Sequence, residues 1–372
     1  MDDLLEYIRT EKNVAIDYIE ATKNWECGTA LYLYGSGTKG AIYIDFLKMN
    51  NIPICGILNS YQTGSLKEVP ILRYDDFLRS KPNHLCKFLI SAPTYASEIR
   101  AQLENDFPKE NIAYFDVTLP TLFDVDAYRN YLTNHWDEYQ LLFQSLADNE
   151  SKKTLASVLK GRISGNMSFF EDCFHPEFYY PRDLIRFSDD EVMVELGAND
   201  GSTIRDFFDR CPKYRAAYCF EPTEGYWKAL EIIQAEQRER GQTVYIVPKG
   251  AWDSETTLTF YEGNGGSSSF DHISPSFEKA VHIDVTAVDK VVKEPITYMK
   301  MDIEGSELRA LHGAQEQISR NYPSLAISVY HKTEDILDIW NYLRDITPDY
   351  RFYIRHHSPC WDDTVLYAIK PQ

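Results

Sequence analysis

A glycine turn flanked by acidic side chains has the clearest chemical pattern in this sequence. In VELGANDGST (194–203), an apolar strand runs into a turn that holds Gly197 and Gly201, with Glu195 and Asp200 beside it. Open α/β sheets bind ligands at the carboxyl ends of their strands, and glycine lets a ligand approach the backbone closely. The segment therefore predicts a ligand site at the end of this strand.

The same turn differs from a phosphate-binding loop. A dinucleotide fingerprint aligned on Gly197 would place glycine at positions 199 and 202, which hold Asn199 and Ser202. The acidic side chains would repel a diphosphate but attract a cation, such as the sulfonium and ammonium groups of S-adenosylmethionine. Ser202 or Thr203 is placed to cap the helix that follows. We therefore predict a site for this cofactor formed by Glu195, Gly197, Asn199, Asp200, Gly201 and Ser202.

An acidic residue also ends the next predicted strand. Glu221 lies at a strand end beyond Gly197, where a carboxylate can accept hydrogen bonds from both hydroxyl groups of a ribose. Together with the upstream turn, Glu221 and the adjacent Pro222 predict a nucleoside-binding site. The alternative is that Glu221 is only a favourable charge at the N-terminus of the next helix.

Three further ionisable residues are predicted at the same edge. Asp302 ends a later strand, Glu304 follows on its turn, and His331 lies just past the strand after that. His331 is the first candidate for a general base, because an ordinary histidine pKa near 6.5 suits proton transfer at neutral pH. Asp302 is the second predicted catalytic residue. A histidine that only satisfies a backbone group is the alternative.

Lys300 and Glu304 are predicted to contact the substrate. Lys300 shares a strand face with Asp302, and it pairs with that carboxylate or closes an ion pair in the core. Asp302 and Glu304 are also candidate Mg²⁺ ligands, or anions at the start of a helix predicted over 306–319. One carboxylate and its neighbour do not define a magnesium site, since Mg²⁺ needs near-octahedral oxygen ligation.

Alternating strand and helix patterns predict the elements that position these residues. The predicted strands are 191–196, 216–221, 243–248, 296–302 and 324–330, with helices after most of them. Two β-patterned runs, 257–263 and 281–288, predict a hairpin inserted after the third strand. Residues 351–357 and 364–370 predict an antiparallel pair. The region 188–372 is thus expected to be a doubly wound α/β sheet with an antiparallel end.

A smaller α/β domain is predicted over residues 1–120, followed by a helical connector over 121–187 with a buried aromatic stripe. Strands are expected at 29–34, 52–58 and 87–93. The first runs into GSGTKG (35–40), which matches G-x-G-x-x-G. The acid that would bind an NAD ribose is missing at the end of the second strand. This domain therefore binds a nucleotide sugar or serves as a scaffold.

Composition excludes several classes of protein. The chain has 372 residues and a net charge of -19, which argues against nucleic acid and anionic membranes as partners. Its seven scattered cysteines favour free thiols in the cytoplasm. The acidic start and the lack of a long apolar run give no support for secretion or membrane insertion. The sequence leaves the oligomeric state open, including a homo-oligomer.

The motifs together resemble the FkbM-type methyltransferases. The resemblance rests on VELGANDGST (194–203), CFEPT (219–223), GGSSSF (265–270) and, above all, YMKMDIEGSE (298–307) followed by LRALHGA. It covers about residues 150–372. It implies a class I S-adenosylmethionine-dependent methyltransferase that acts on a hydroxyl group of a sugar, a glycan precursor or a secondary metabolite.

The resemblance also implies two further cofactor contacts. Ser268 lies in a serine loop that could close over the adenosine or the substrate, and Trp252 follows the third strand, where class I enzymes hold adenine. Two other classes remain open from the sequence. One is a non-catalytic nucleotide-sugar binding or docking protein, and the other is a nicotinamide-dependent oxidoreductase that uses the first domain.

Overall fold

The computed structural model describes residues 1–82, 85–263 and 277–370, and it divides the chain into two compact units. Unit 1 comprises residues 1–137, 155–174 and 358–361, and unit 2 comprises residues 138–154, 175–357 and 362–372. The chain thus changes unit within its middle helices and again in a four-residue segment near its end. The predicted divisions at 120 and 187 stay a prediction.

Unit 1 is built on a six-stranded sheet of order β3-β4-β2-β1-β5-β6, parallel except for β3. Its strands are β1 Ala30–Tyr34, β2 Gly56–Asn59, β3 Gly64–Leu66, β4 Val69–Arg73, β5 Cys86–Ile90 and β6 Ile112–Ala113. The helices of the first 134 residues are α1 Asp2–Thr10, α2 Val14–Thr22, α3 Thr38–Met49, α4 Tyr74–Arg79, α5 Ala96–Asp106, α6 Thr118–Leu122 and α7 Val125–Asn134.

Three helices follow in the middle of the chain: α8 Trp136–Ser145, α9 Asn149–Ser164 and α10 Ser168–Glu171. The predicted aromatic stripe, which runs from α7 into α8, is largely buried, since the side chains of Tyr128, Trp136 and Tyr139 are at most 6% exposed. It therefore forms core, as the helical spacing predicts.

Unit 2 contains a seven-stranded sheet of order β15-β16-β14-β13-β7-β8-β9. Its strands are β7 Val192–Leu196, β8 Ala216–Phe220, β9 Val244–Val247, β13 Tyr298–Met301, β14 Ser324–Ser328, β15 Arg351–His356 and β16 Thr364–Ile369. Five neighbouring strands of this sheet, β14, β13, β7, β8 and β9, are parallel to one another. Strand β16 lies between β14 and β15 and is antiparallel to both. All five residues of β7 are buried, as expected for a central parallel strand.

Unit 2 also contains a second, smaller sheet and further helices. A three-stranded sheet consists of β10 Gly250–Ala251, β11 Thr256–Gly263 and β12 Phe277–Thr286, and β11 pairs antiparallel with β12 as the predicted hairpin. The helices are α11 Ser202–Arg210, α12 Glu224–Glu239, α13 Val288–Val291, α14 Glu307–Gly313, α15 Gln315–Asn321 and α16 Asp335–Ile346.

Two local predictions are wrong. The helix expected over 306–319 is divided into α14 and α15, because the carboxylate of Asp289 accepts hydrogen bonds from the backbone N–H groups of Glu316 and Gln317 and starts a new helix there. The helix after β7 is capped by Gly201, which has a φ of 82°, rather than by Ser202 or Thr203. The carboxylate of Asp200 accepts the hydrogen bond from the backbone N–H of Ser202.

Among the described residues, no helix combines the length and the apolar character that crossing a lipid bilayer would require.

Candidate active site

The carboxyl ends of β7, β8, β13 and β14 lie at one edge of the unit 2 sheet, because these strands are parallel neighbours. The glycine turn follows β7, Glu221 follows β8, and Asp302 follows β13. His331 lies three residues after the end of β14. The sheet therefore brings the predicted cofactor turn and the predicted catalytic residues to one edge.

The turn after β7 packs closely on the chain that follows β13. Gly197 has a φ of 78°, and a Cβ atom there would lie 2.0 Å from the carbonyl oxygen of Asp302. Only glycine tolerates both the left-handed backbone and this approach. Asn199 and Glu304, one on each turn, also have positive φ angles. Strained non-glycine residues of this kind are concentrated at functional sites.

Glu195 and Lys300 support the turn from inside the sheet. Their charged atoms lie 3.5 Å apart, and both side chains are almost fully buried. Burial raises the pKa of Glu195 to about 7, although Lys300 opposes this shift. The Lys300 ammonium donates a hydrogen bond of 3.0 Å to the carbonyl oxygen of Gly197 and lies 4.9 Å from the ring centroid of Tyr179. These are the contacts of a core ion pair, and the predicted contact of Lys300 with a substrate stays a prediction.

Glu221 connects the glycine turn to the end of β8. One of its carboxylate oxygens accepts a hydrogen bond of 2.8 Å from the backbone N–H of Asn199, and the other accepts one of 2.8 Å from that of Thr223. Burial raises the pKa of Glu221, and these two bonds oppose the shift. Each carboxylate oxygen keeps a lone pair that can accept a further hydrogen bond, such as one from a ribose hydroxyl.

Trp227 is a neighbour of this position that sequence reasoning missed. Its indole N–H donates a hydrogen bond of 2.9 Å to the carbonyl oxygen of Glu221. The sequence feature that could have indicated this residue is an aromatic side chain about one turn into the helix that follows Glu221. Pro222 separates that helix from β8.

The other two predicted cofactor contacts have different outcomes. The ring of Trp252 packs against Ile283 and Val285 of the β11–β12 hairpin, and the guanidinium carbon of Arg309 lies 5.7 Å from its centroid. Its role at an adenine ring stays a prediction. Ser268 and its serine loop lie outside the described residues.

His331 lies among three carboxylates. Its Nε2 is 3.3 Å from Asp302 Oδ1 and 3.6 Å from Glu304 Oε2, while its Nδ1 is 3.1 Å from Glu307 Oε1. Asp302 also accepts hydrogen bonds from the hydroxyl groups of Tyr179, at 2.7 Å, and Tyr330, at 3.2 Å. The predicted pair of Asp302 and His331 is thus in direct contact.

The charges of this cluster depend on one another. Burial alone would lower the pKa of His331, but Glu307, Glu304 and Asp302 raise it well above 6.5. Burial raises the pKa of Glu304 to about 8, with His331 opposing this shift. Burial would also raise the pKa of Asp302, but Lys300 and His331 hold it below its ordinary value. The surrounding carboxylates therefore favour the charged form of the predicted base, which the sequence did not indicate.

The cluster is also where a metal ion could be sought among the described residues. Asp302, Glu307 and His331 each offer a ligand atom, and these atoms lie within 4.8 Å of one another. However, the two carboxylates face opposite nitrogens of the ring, and a metal ion binds only one of them. Magnesium prefers oxygen ligands throughout. We therefore assign no metal ion to the cluster.

Ser36, in the glycine loop of unit 1, has polar side-chain partners. Ser36 Oγ accepts hydrogen bonds of 2.8 Å from the side-chain amides of Asn59 and Gln62. A Cβ atom at Gly40 would lie 2.5 Å from the carbonyl oxygen of Gly35, so this glycine is needed for close packing. Asn59 occupies the strand end where an NAD-binding acid would stand.

Comparison with known proteins agrees with this geometry. Residues 195–352 match the model of the methyltransferase FkbM domain. The chain resembles the crystal structure of methyltransferase FkbM from Methylobacillus flagellatus KT, with a TM-score of 0.74, 24% identity and coverage of 99% of this chain and 98% of that one.

Weaker similarities extend over about half of the chain. An rRNA methylase from Streptococcus thermophilus has a TM-score of 0.32 and 14% identity, over 55% of this chain and 94% of that one. Aeropyrum pernix fibrillarin, solved with natively bound S-adenosyl-L-methionine, has a TM-score of 0.33 and 13% identity, over 50% of this chain and 71% of that one. No curated protein matches the sequence.

The sheet order and the antiparallel end define an α/β protein with the fold of the class I methyltransferases. The enzymes of this class transfer a methyl group from S-adenosylmethionine. Within the class, this chain carries a methyltransferase domain of the FkbM family at residues 195–352. The FkbM-type resemblance predicted from the sequence is thereby confirmed for residues 195–352.

Proposed function

We propose that this protein is an O-methyltransferase that acts on a hydroxyl group of a sugar, a glycan precursor or a secondary metabolite. One observation carries the proposal. The turn predicted to hold the cofactor touches the backbone of Asp302, and Asp302 is in contact with His331. The proposed donor site and the proposed proton-accepting group are therefore neighbours, which is what methyl transfer to a hydroxyl requires.

The residues of the turn fit the charge and shape of S-adenosylmethionine. Gly197 and Gly201 add no side chains at the two ends of the turn, and Asp200 adds an exposed carboxylate. Glu221 offers a buried carboxylate, held in place by the turn itself, for the ribose hydroxyls. When bound, the cofactor supplies the methyl group on a sulfonium, and the C–S bond breaks with its electron pair passing to sulfur.

The Asp302–His331 pair is proposed to receive the proton of the acceptor. As the acceptor oxygen forms its bond to the methyl carbon, the hydroxyl proton must leave. Nε2 of His331, once deprotonated, and the carboxylate of Asp302 are the available bases at this edge. Glu304 lies on the more exposed side of the same cluster and is proposed to contact the acceptor.

Binding of the cofactor tests the first half of the proposal. The experiment is calorimetric titration with S-adenosylmethionine, S-adenosylhomocysteine and NADH, using wild type, Glu221→Gln and Glu224→Gln. Glu224 is a matched control, because it is an exposed glutamate on the first turn of α12. We expect Glu221→Gln to weaken binding of both sulfur compounds by about tenfold or more, since a charged hydrogen bond is lost. Unchanged affinity in Glu221→Gln, or binding of NADH alone, would overturn the assignment.

Turnover tests the second half. We expect S-adenosylhomocysteine to form with a hydroxyl-bearing acceptor, and not when that hydroxyl is blocked. Repeating the assay with EDTA and then with added Mg²⁺ tests the predicted magnesium ligand Asp302, and we expect the rate to be unaffected. Strict dependence on Mg²⁺ would restore the metal prediction.

We place this reaction in the cytoplasm. All seven cysteines are free thiols, and five of them are buried, which suits a reducing compartment.

A further inference from the structure

We propose that Glu307 is a positioning residue that fixes the orientation of His331 and keeps a proton on its Nδ1, so that Nε2 is the nitrogen that exchanges a proton with the acceptor. The inference rests on the proposed function, because it assigns His331 its part in proton transfer. Glu307 is the last residue of the YMKMDIEGSE motif, and sequence reasoning gave it no role.

The first observation is how Glu307 itself is held. Its side chain is fully buried, at 0% exposure, at the start of α14. Oε1 accepts a hydrogen bond of 2.9 Å from the backbone N–H of Ile303 and lies 3.1 Å from Nδ1 of His331. A buried carboxylate that is anchored by a backbone group has little freedom to move away. It therefore presents a fixed acceptor to one side of the imidazole ring.

The second observation is what faces the other nitrogen. Nε2 lies 3.3 Å from Asp302 Oδ1 and 3.6 Å from Glu304 Oε2. An ionised carboxylate only accepts hydrogen bonds, whereas a neutral imidazole has one donor and one acceptor nitrogen. Carboxylates face both nitrogens, but Glu307 lies nearer and is anchored by the backbone of Ile303, so we place the single N–H of the neutral ring at Nδ1, which leaves Nε2 as the acceptor. Nε2 is also the nitrogen that faces Asp302, next to the cofactor turn.

The remaining charged groups around His331 come from the neighbouring elements. Asp335, the first residue of α16, accepts a hydrogen bond of 2.7 Å from the backbone N–H of Lys332 and acts electrostatically on the ring. Lys332 adjoins His331 in sequence, and Lys300 of β13 acts on Asp302. The ring of Tyr330 lies 4.1 Å from that of His331. Among the three carboxylates in direct contact with the ring, Glu307 is the most deeply buried.

The experiment is ¹⁵N NMR of the histidine side chains as a function of pH, which needs neither cofactor nor acceptor. His331→Gln identifies the signals of His331. In the wild type, we expect the neutral ring at high pH to carry its proton on Nδ1, although free imidazole side chains favour Nε2. A neutral ring protonated on Nε2 would overturn the proposal, and this measurement requires no change at Glu307.

A second arm uses Glu307→Gln, with Glu191→Gln as the matched control. Glu191 is another buried carboxylate of unit 2, and it accepts a hydrogen bond from the backbone N–H of Ser188 at the opposite end of the sheet. Removing the charge at Glu307 is expected to lower the titration midpoint of His331 by about one pH unit or more, a tenfold change in proton affinity, because an adjacent anion stabilises the imidazolium. The control should leave the midpoint unchanged. An unchanged midpoint in Glu307→Gln would refute the positioning role.

A negative result for Glu307 can be distinguished from failure of the proposed methyltransferase function. If S-adenosylmethionine does not bind, the proposed function fails, but the tautomer of His331 can still be measured. If an acceptor is found, Glu307→Gln should move the acidic limb of the kcat profile to lower pH and leave cofactor affinity within about twofold. A uniform loss of rate at every pH would indicate that Glu307 is only structural.

Discussion

Gly197 shows how much of this site depends on a single residue. Its backbone has a φ of 78°, its N–H donates a hydrogen bond to the carbonyl oxygen of Phe220, and its own carbonyl oxygen accepts one from Lys300. It thus connects the ends of three neighbouring strands. A side chain at this position would displace the backbone of Asp302.

Substitution of Gly197 by alanine is therefore expected to reduce both stability and cofactor binding. We expect the free energy of unfolding to fall by about 2 to 4 kcal/mol, from the left-handed backbone and the overlap with Asp302. Chemical denaturation measures the stability, and calorimetry with S-adenosylmethionine measures the binding. The control is Gly225→Ala in α12, where an added Cβ meets no atom within 4 Å. Equal stability of the two variants would contradict the strain argument.

For the ionisable residues of the site, the sequence predicted their position at the sheet edge better than their protonation behaviour. Glu221, Asp302 and His331 each follow a predicted strand, and parallel topology brings such positions to one edge. The raised pKa of His331 could not be predicted, because it depends on Glu304 and Glu307, whose contacts with the ring exist only in the folded structure. The roles of all these residues stay predictions.

At the scale of the elements, the predicted strands lie within a few residues of the observed ones, because buried strands form continuous apolar runs. The short strands β3, β4 and β6 of unit 1 were not predicted. The second strand of unit 1 begins at Gly56, not at Ile52. Ile52 instead lies just beyond the C-terminus of α3, where its backbone N–H donates a hydrogen bond to the carbonyl oxygen of Leu47. Apolar residues that close a helix cannot be told from those of a strand by local pattern.

Arg355 is the feature of β15 that joins it to neighbouring elements. Its guanidinium is buried and donates to Asp148 at 2.7 Å, to Asp183 at 2.7 Å and to Ser151 Oγ at 2.8 Å. Asp148 in turn caps α9 by accepting from the backbone N–H of Ser151. One side chain thus couples an antiparallel strand to a helix start.

Arg355→Leu is expected to destabilise the protein by about 1 to 3 kcal/mol, less than a fully buried pair, because both carboxylates remain partly exposed and can be solvated. Thermal and chemical unfolding provide the measurement. Arg351→Leu, on the same strand but exposed, is the control and should change stability by less than about 0.5 kcal/mol. A similar loss in both variants would mean that the strand, not the ion pairs, is sensitive.

At the scale of the whole molecule, alternation of strands and helices predicted two α/β regions, and the structure has two such sheets. The assignment of residues 358–361 to unit 1 was not predictable. In that segment, Trp361 packs on Phe123, and the guanidinium of Arg162 lies over its ring. Periodicity describes an element, but it does not indicate where a short loop will pack.

The net charge of -19 gives a prediction for the entire chain. S-adenosylmethionine is a net cation and S-adenosylhomocysteine is not, so the acidic surface should favour the substrate form at low salt. Between roughly 0.05 and 0.5 M NaCl, we expect the Kd of S-adenosylmethionine to rise about threefold and that of the product by much less. Calorimetry in the two salts measures this, with sucrose of equal osmolarity as the control. Parallel changes for both compounds would show that surface charge does not steer the cofactor.

The position of β16 has a consequence for how the chain is made. A ribosome delivers β15 before β16, yet β16 lies between β14 and β15 and pairs with both. Until residues 364–369 emerge, β14 exposes an open edge with the apolar residues Leu325 to Ile327, and β15 has no partner in this sheet among the described residues. The nascent chain therefore passes through an interval with an unpaired hydrophobic strand, the period in which a chaperone would be most useful.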